Sequence, residues 1–103
     1  MPVDGIPERA TLRRAKHFFV YILASDSGCL YTGLTTNLER RLCQHRAGTF
    51  ANAFTRRYRI TKLVYYEVTS DGRVATIRER QLKAWSRAKR VALIESMNRD
   101  WRD

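Results

Sequence analysis

Two tyrosines, an arginine and a histidine lie close together in this sequence of 103 residues. Tyr21 and Tyr31 occupy the apolar runs "FFVYIL" and "CLYTGL", and Arg41 and His45 follow in "LERRLCQH". A phenol can hold or move a proton, an imidazole can accept one near neutral pH, and an arginine can neutralise negative charge. In one basic chain, these residue types together favour a catalytic site.

The two tyrosines are predicted to meet on a β-hairpin. Both runs are rich in β-branched and aromatic residues, and the intervening "ASDSG" consists of small turn-forming residues. A five-residue loop, 24–28, pairs Leu23 with Cys29 and therefore Tyr21 with Tyr31. The phenols are then direct cross-strand neighbours, with Cβ atoms about 5 Å apart. A bulge would shift this register.

Arg41 and His45 belong to a predicted helix of about three turns. At about 100° per residue, both flank the apolar stripe of Leu38 and Leu42, whereas Arg40 points into solvent. Arginine and histidine at a helix edge usually snorkel or cap a carbonyl group, and paired strand tyrosines are most often packing residues. In combination, the arginine and the histidine are expected to lie over the tyrosine pair.

The remaining elements predict a small α+β fold with the order β-β-α-β-α-α and a three-stranded antiparallel sheet. "KLVYYEV", residues 62–68, is the third strand, and residues 49–61 form a loop or irregular turn. Polar caps and breaks delimit the helices. The first helix has Thr36 with Glu39 at its start and Gly48 as its stop. The second begins at Ser70 or Asp71 and runs to about Trp85, and the third begins at Ser86 and runs to about Met97.

The second helix is predicted to turn Val74, Ile77, Leu82 and Trp85 towards the sheet. On this wheel Glu79 lies about 140° from Val74. Helix geometry alone therefore predicts a solvated carboxylate at the flank of the helix.

The formal charge of +10, with 20 Lys and Arg against 10 Asp and Glu, makes nucleic acid the expected partner. The candidate phosphate contacts lie in the loop and in the last two helices; they are Arg56, Arg57, Arg59, Lys83, Arg87 and Arg90. Arginines on a solvated surface would look the same in the sequence.

Other classes of protein are disfavoured. No helix is basic on one face and bulky and apolar on the other, so a membrane partner is not expected. Cys29 and Cys43 are too few for a disulfide framework and lack zinc-site spacing, which favours a cytoplasmic protein with reduced thiols. Residues 1–16, with both prolines and scattered charge, predict a mobile basic arm that precedes one domain over residues 17–103.

The sequence resembles the GIY-YIG nuclease superfamily, and in particular its small single-domain, UPF0213-like members. The two name-giving motifs correspond to "VYI" (20–22) and "YTG" (31–33). The resemblance continues through "TTNLERRLCQH", "TRR", "KLVYYE", "RERQLKAWSRAKRVALI" and "NRDW", and covers about residues 18–102. The motifs depart from the family pattern at Val20, at Thr32 and at Leu34, where some relatives have a lysine.

The resemblance implies a DNA endonuclease of repair or recombination that uses one Mg²⁺ or Mn²⁺ ion. By position, the catalytic residues are Tyr21, Tyr31, Arg41 and His45. Glu79 corresponds to the carboxylate that binds the metal, and Asn98 to the asparagine of a C-terminal motif. Tyr21 is then the favoured base and Tyr31 orients water or phosphate, although the two roles can be exchanged. His45 would relay the proton or bind the phosphate.

Two alternatives remain open at the level of sequence. The degenerate motifs would suit a nucleic-acid-binding module that no longer cleaves, or a subunit that contributes its fold to a larger repair assembly. A Mg²⁺-dependent nicking assay separates the first from an enzyme, and co-purification tests the second.

Overall fold

The computed structural model describes residues 16–47 and 57–103. The predictions for residues 1–15 of the arm, for Gly48, for most of the loop that follows it and for Arg56 lie outside these ranges. The strands are β1 (Phe18–Ala24), β2 (Leu30–Thr35) and β3 (Lys62–Thr69), and the helices are α1 (Leu38–Ala47), α2 (Gly72–Ala84) and α3 (Arg87–Met97). The predicted element order and α+β class are confirmed.

The three strands form an antiparallel sheet in the order β2-β1-β3. Because β1 pairs on both sides, its residues 20–24 are fully buried, which accounts for the uninterrupted apolar run in the sequence. Alternation along β1 sends Tyr21 and Leu23 to one face and Val20, Ile22 and Ala24 to the other.

Helices cover both faces of the sheet. Leu38 and Leu42 of α1 pack with Tyr21 and Leu23, and the buried Ile60 completes this cluster. On the opposite face lie Ala75 and Leu82 of α2 and Ile94 of α3. Within the described ranges, no helix is long and apolar enough to span a membrane.

The hairpin register differs from the prediction by two residues. Tyr21 pairs with Gly33 and Leu23 pairs with Tyr31, so the predicted Tyr21–Tyr31 pair is wrong. The strand continues through Ala24, and Ser25 closes the loop because its Oγ accepts a hydrogen bond from the Cys29 amide at 2.9 Å. Since a shift of two preserves the alternation of side chains, the tyrosines still share a face, as diagonal neighbours.

The caps of α2 and α3 agree with the sequence, whereas that of α1 does not. Asp71 accepts hydrogen bonds from two amides at the start of α2, and Ser86 does the same for the Lys89 amide in α3. For α1, the side chain of Asn37 accepts from the Arg40 amide at 3.0 Å, so the capping residue is not Thr36.

The prediction for the buried face of α2 is correct for Leu82 and Trp85 and wrong for Val74 and Ile77. Val74 and Ile77 are exposed, whereas Ala75 and Leu82 are fully buried. Two features fix this rotation: the small side chain of Ala75 packs against Val20 of the sheet, and Arg78 binds Glu67 of β3 through two nitrogens.

Candidate active site

The position of Tyr21 depends on a glycine in the neighbouring strand. The tyrosine ring lies across Gly33, where a Cβ atom would approach the Tyr21 Cζ atom to 2.5 Å. Because Tyr21 is fully buried, its ring has no room to move aside. The glycine of "YTG" therefore allows the phenol to lie flat against β2.

Tyr21, Tyr31 and His45 form a compact group of rings. The centroid of the His45 ring is 6.2 Å from that of Tyr21 and 5.5 Å from that of Tyr31, and the two tyrosine centroids are 6.4 Å apart. The Tyr21 hydroxyl lies 3.4 Å from the Nε2 atom of His45, and His45 is a buried residue of α1. The hairpin and the following helix thus bring together the residues that the sequence singles out.

Burial dominates the acidity of Tyr21. Loss of solvent, reinforced by Tyr31, raises the pKa of Tyr21 to about 12, although the charge of Arg41 and a hydrogen bond from its guanidinium act in the opposite direction. The phenol is therefore protonated at neutral pH, and Arg41 is already in contact with it.

His45 is biased towards its neutral form. Burial lowers the pKa of His45 below its ordinary value of 6.5, and the positive charge of Arg41 lowers it further. At neutral pH the imidazole therefore has one nitrogen that can accept a proton. Nε2, which faces the Tyr21 hydroxyl, can fill that role.

Glu79 lies on the buried stripe of α2 and not at its flank. Positions 75, 79 and 82 follow the i, i+4, i+7 spacing of one helix face, and the Glu79 side chain is only 20% exposed. Its charge raises the pKa of Tyr21, so the carboxylate belongs to the same electrostatic environment. The wheel drawn from Val74 placed Glu79 wrongly because Val74 is not on the buried face.

The donor chemistry at Glu79 fits a hard divalent ion. Its carboxylate pairs at 3.2 Å with Lys83, whose side chain is 53% exposed and can move away. Among the residues that the structure describes, no three His, Cys, Asp or Glu side chains form a metal-binding group. Mg²⁺ needs only one or two carboxylates because it retains several waters.

The predicted phosphate contacts occupy different environments. Arg57 and Arg59 are exposed at the turn before β3. Arg87 is exposed but donates a hydrogen bond to the Gly28 carbonyl at 2.6 Å, and so braces the hairpin loop. Arg90 is half-buried, and its Nε atom has no hydrogen-bond partner within the described part of the chain.

Asn98 organises the C-terminal segment. Its amide donates to the Val64 and Arg102 carbonyls, and its oxygen accepts from the Arg102 amide. In the same segment, the indole of Trp101 packs against the core cluster that contains Ile22. These contacts give Asn98 a structural function.

The three departures from the family motifs lie on the face of the sheet opposite Tyr21. Val20 and Leu34 pack with the core residues of α2. Thr32 is buried and pairs across the strands with Ile22. Substitutions at these positions therefore alter the core that α2 shares with the sheet.

Two residues of this region were missed in the sequence. Gly33 is part of a motif in the sequence, and its lack of a side chain sets the position of the Tyr21 ring. Tyr66 lies directly across from Tyr21 on β3. The signal for Tyr66 was the alternation in "KLVYYEV", which places every second residue on one face.

Comparison with known proteins agrees with this arrangement. Residues 17–92 match the model of the GIY-YIG catalytic domain. A UPF0213 protein of Staphylococcus haemolyticus is 42% identical over 79% of this chain and 96% of its own length. Another, of Syntrophus aciditrophicus, is 39% identical over 75% of this chain and 88% of its own.

The solution NMR structure of a UPF0213 protein of Bacillus halodurans has the same fold. It superimposes with a TM-score of 0.55 at 30% identity, over 82% of this chain and 89% of that one. With its catalytic-domain match and its three-stranded sheet, the chain belongs to the GIY-YIG family, among the small single-domain UPF0213 proteins.

Proposed function

We propose that the protein is a divalent-metal-dependent endonuclease that hydrolyses phosphodiester bonds in DNA. The observation that carries the proposal is the contact of one buried phenol, Tyr21, with both a neutral imidazole and an arginine, within the field of the Glu79 carboxylate. Such a group can handle a proton and a negative charge in the same small space.

Glu79 would hold the ion, Mg²⁺ or Mn²⁺, and the ion would supply charge stabilisation at the phosphate. Arg41 would neutralise the negative charge that develops on the phosphoryl oxygens. Its charge and a hydrogen bond already act on the Tyr21 phenol and lower the pKa of that group. Tyr31, the less buried tyrosine, would orient the attacking water or the phosphate.

Tyr21 works best as a proton relay to His45. A pKa of about 12 means that forming the free phenolate at pH 7 costs about 7 kcal/mol. Passing the hydroxyl proton to His45 Nε2 while taking one from water avoids most of this cost. The neutral imidazole is therefore the terminal base in this scheme.

Phosphate contacts would come from the exposed basic side chains, and binding should weaken as salt increases. Such contacts carry no base-specific information. Cleavage would then depend on the structure of the DNA, which suits a role in repair or recombination.

The test is incubation of the purified protein with labelled single-stranded, duplex, branched and damaged DNA and with RNA, with and without Mg²⁺ or Mn²⁺. Metal-dependent cleavage that is lost in Glu79→Gln supports the proposal. Tight DNA binding without cleavage of any substrate would reject it in favour of a binding module.

A further inference from the structure

An exposed aromatic surface continues the sheet beyond Tyr21. Tyr66 of β3 is the direct cross-strand partner of Tyr21, so their Cβ atoms lie about 5 Å apart on one face. Tyr21 is fully buried, whereas Tyr66 is 53% exposed. The ring of Phe19 packs against Tyr66 with a centroid distance of 6.2 Å and a tilt of 55°.

These two rings line an open groove of about 910 Å³. The groove runs between the start of β1 and the first turns of α1, where Lys16 and Arg40 contribute positive charge and Glu39 contributes negative charge. Its floor is therefore aromatic, and two of the three charged residues on its walls are basic.

An aromatic ring on an open sheet face, beside cationic side chains, is suited to stacking a nucleobase. Bases inside a regular duplex are stacked on one another, so only an unpaired base can reach such a ring. A protein partner would use the same apolar area, but the formal charge of +10 favours nucleic acid.

We infer that Tyr66, supported by Phe19, forms a subsite that stacks one unpaired base and holds single-stranded or locally unpaired nucleic acid beside Tyr21. This inference rests on the proposed function, because the groove shares Thr36, Asn37 and Arg40 with a smaller pocket that Arg41 lines, and a strand held in the groove would pass the candidate active site. The binding step can nevertheless be measured without cleavage.

The experiment measures the affinity of the full chain for a fluorescent single-stranded oligonucleotide and for the matching duplex, in EDTA. Tyr66→Ala should weaken single-strand binding about 5- to 100-fold and duplex binding less than about twofold. Tyr66→Phe keeps the ring and should bind like the original chain. Ile77→Ala, at an exposed apolar position on α2 outside the groove, is the matched control.

Circular dichroism and thermal melting establish that each variant is folded, which is expected because Tyr66 is on the surface. Unchanged single-strand affinity in Tyr66→Ala would overturn the inference, as would equal losses for the single strand and the duplex; the latter would indicate general surface damage. Tyr66-dependent single-strand binding with no metal-dependent cleavage would reject the proposed function and retain the subsite.

Discussion

Two groups in the molecule each combine a tyrosine with a glutamate and an arginine, with opposite consequences. On the face away from Tyr21, the Tyr65 hydroxyl donates to Glu67, and Arg78 binds both oxygens of that carboxylate at 2.8–2.9 Å. Burial and the bond to Glu67 raise the pKa of Tyr65 to about 12. Its pKa is thus about the same as that of Tyr21.

In the group around Tyr21, the charges are distributed differently. Arg41 bonds to the Tyr21 phenol, and Glu79 pairs with Lys83 at the surface. In the Tyr65 group the acid and the arginine neutralise each other, so the group joins α2 to β3. Residue types and a perturbed tyrosine are therefore not enough to define a site; what matters is whether the acid and the arginine are bound to each other.

The largest expected difference is between the two glutamates. Glu79→Gln should reduce cleavage below detection, because it removes the charge that would hold the metal, and should leave DNA binding in EDTA nearly unchanged. Glu67→Gln should lower the free energy of unfolding by about 1–3 kcal/mol and preserve the activity of the folded protein. Cleavage assays and chemical denaturation of both variants measure these effects. A fully active Glu79→Gln variant would show that Glu79, like Glu67, is not needed for cleavage.

The tyrosines should differ next. Tyr21→Phe removes one hydroxyl and should slow cleavage about 10²- to 10⁴-fold, because the proton path to His45 is lost. Tyr65→Phe should leave the single-turnover rate unchanged and lower stability by about 1 kcal/mol. Single-turnover kinetics separate these outcomes, and equal rates for the two variants would remove Tyr21 from proton transfer.

Two adjacent arginines of α1, Arg40 and Arg41, should also differ in their effect on cleavage. Arg41→Ala should slow the chemical step about 10²- to 10³-fold, because stabilisation of the phosphoryl charge is lost. Arg40→Ala should change only KM, because Arg40 lines the groove and does not contact Tyr21 in this scheme. Equal losses of kcat in the two variants would show that both arginines act only by attracting the negatively charged DNA.

The smallest effect is the dependence on pH. Because the folded pKa of His45 lies below 6.5, activity should be independent of His45 above that pH and should fall tenfold per unit below the folded pKa. The unfolded chain binds the proton more readily, so the contribution of His45 to stability is complete above pH 6.5 and is lost as the pH falls through the folded pKa. His45→Gln should make both activity and stability less dependent on pH. A steep loss of activity at acidic pH in that variant would mean that another group causes the loss.

The order and ends of the elements follow from local sequence, whereas the site geometry depends on contacts that local patterns do not encode. Asp71 and Ser86 are recognisable caps because the hydrogen bonds are made within three residues. The hairpin register required the Ser25 side chain to close the loop. The rotation of α2 depends on Arg78 meeting Glu67 from another element, so Glu79 could be assigned only through the family resemblance.

Gly33 also bears on how such chains can evolve. Because the Tyr21 ring occupies the space of a Cβ atom at position 33, the two residues on neighbouring strands constrain each other. A lineage that replaced the glycine first would displace the phenol, whereas one that lost the tyrosine would release the glycine to vary. Absence of the glycine in a distant homologue would therefore point to prior loss of the tyrosine site. Positions 21 and 33 should accordingly be compared together and not one at a time.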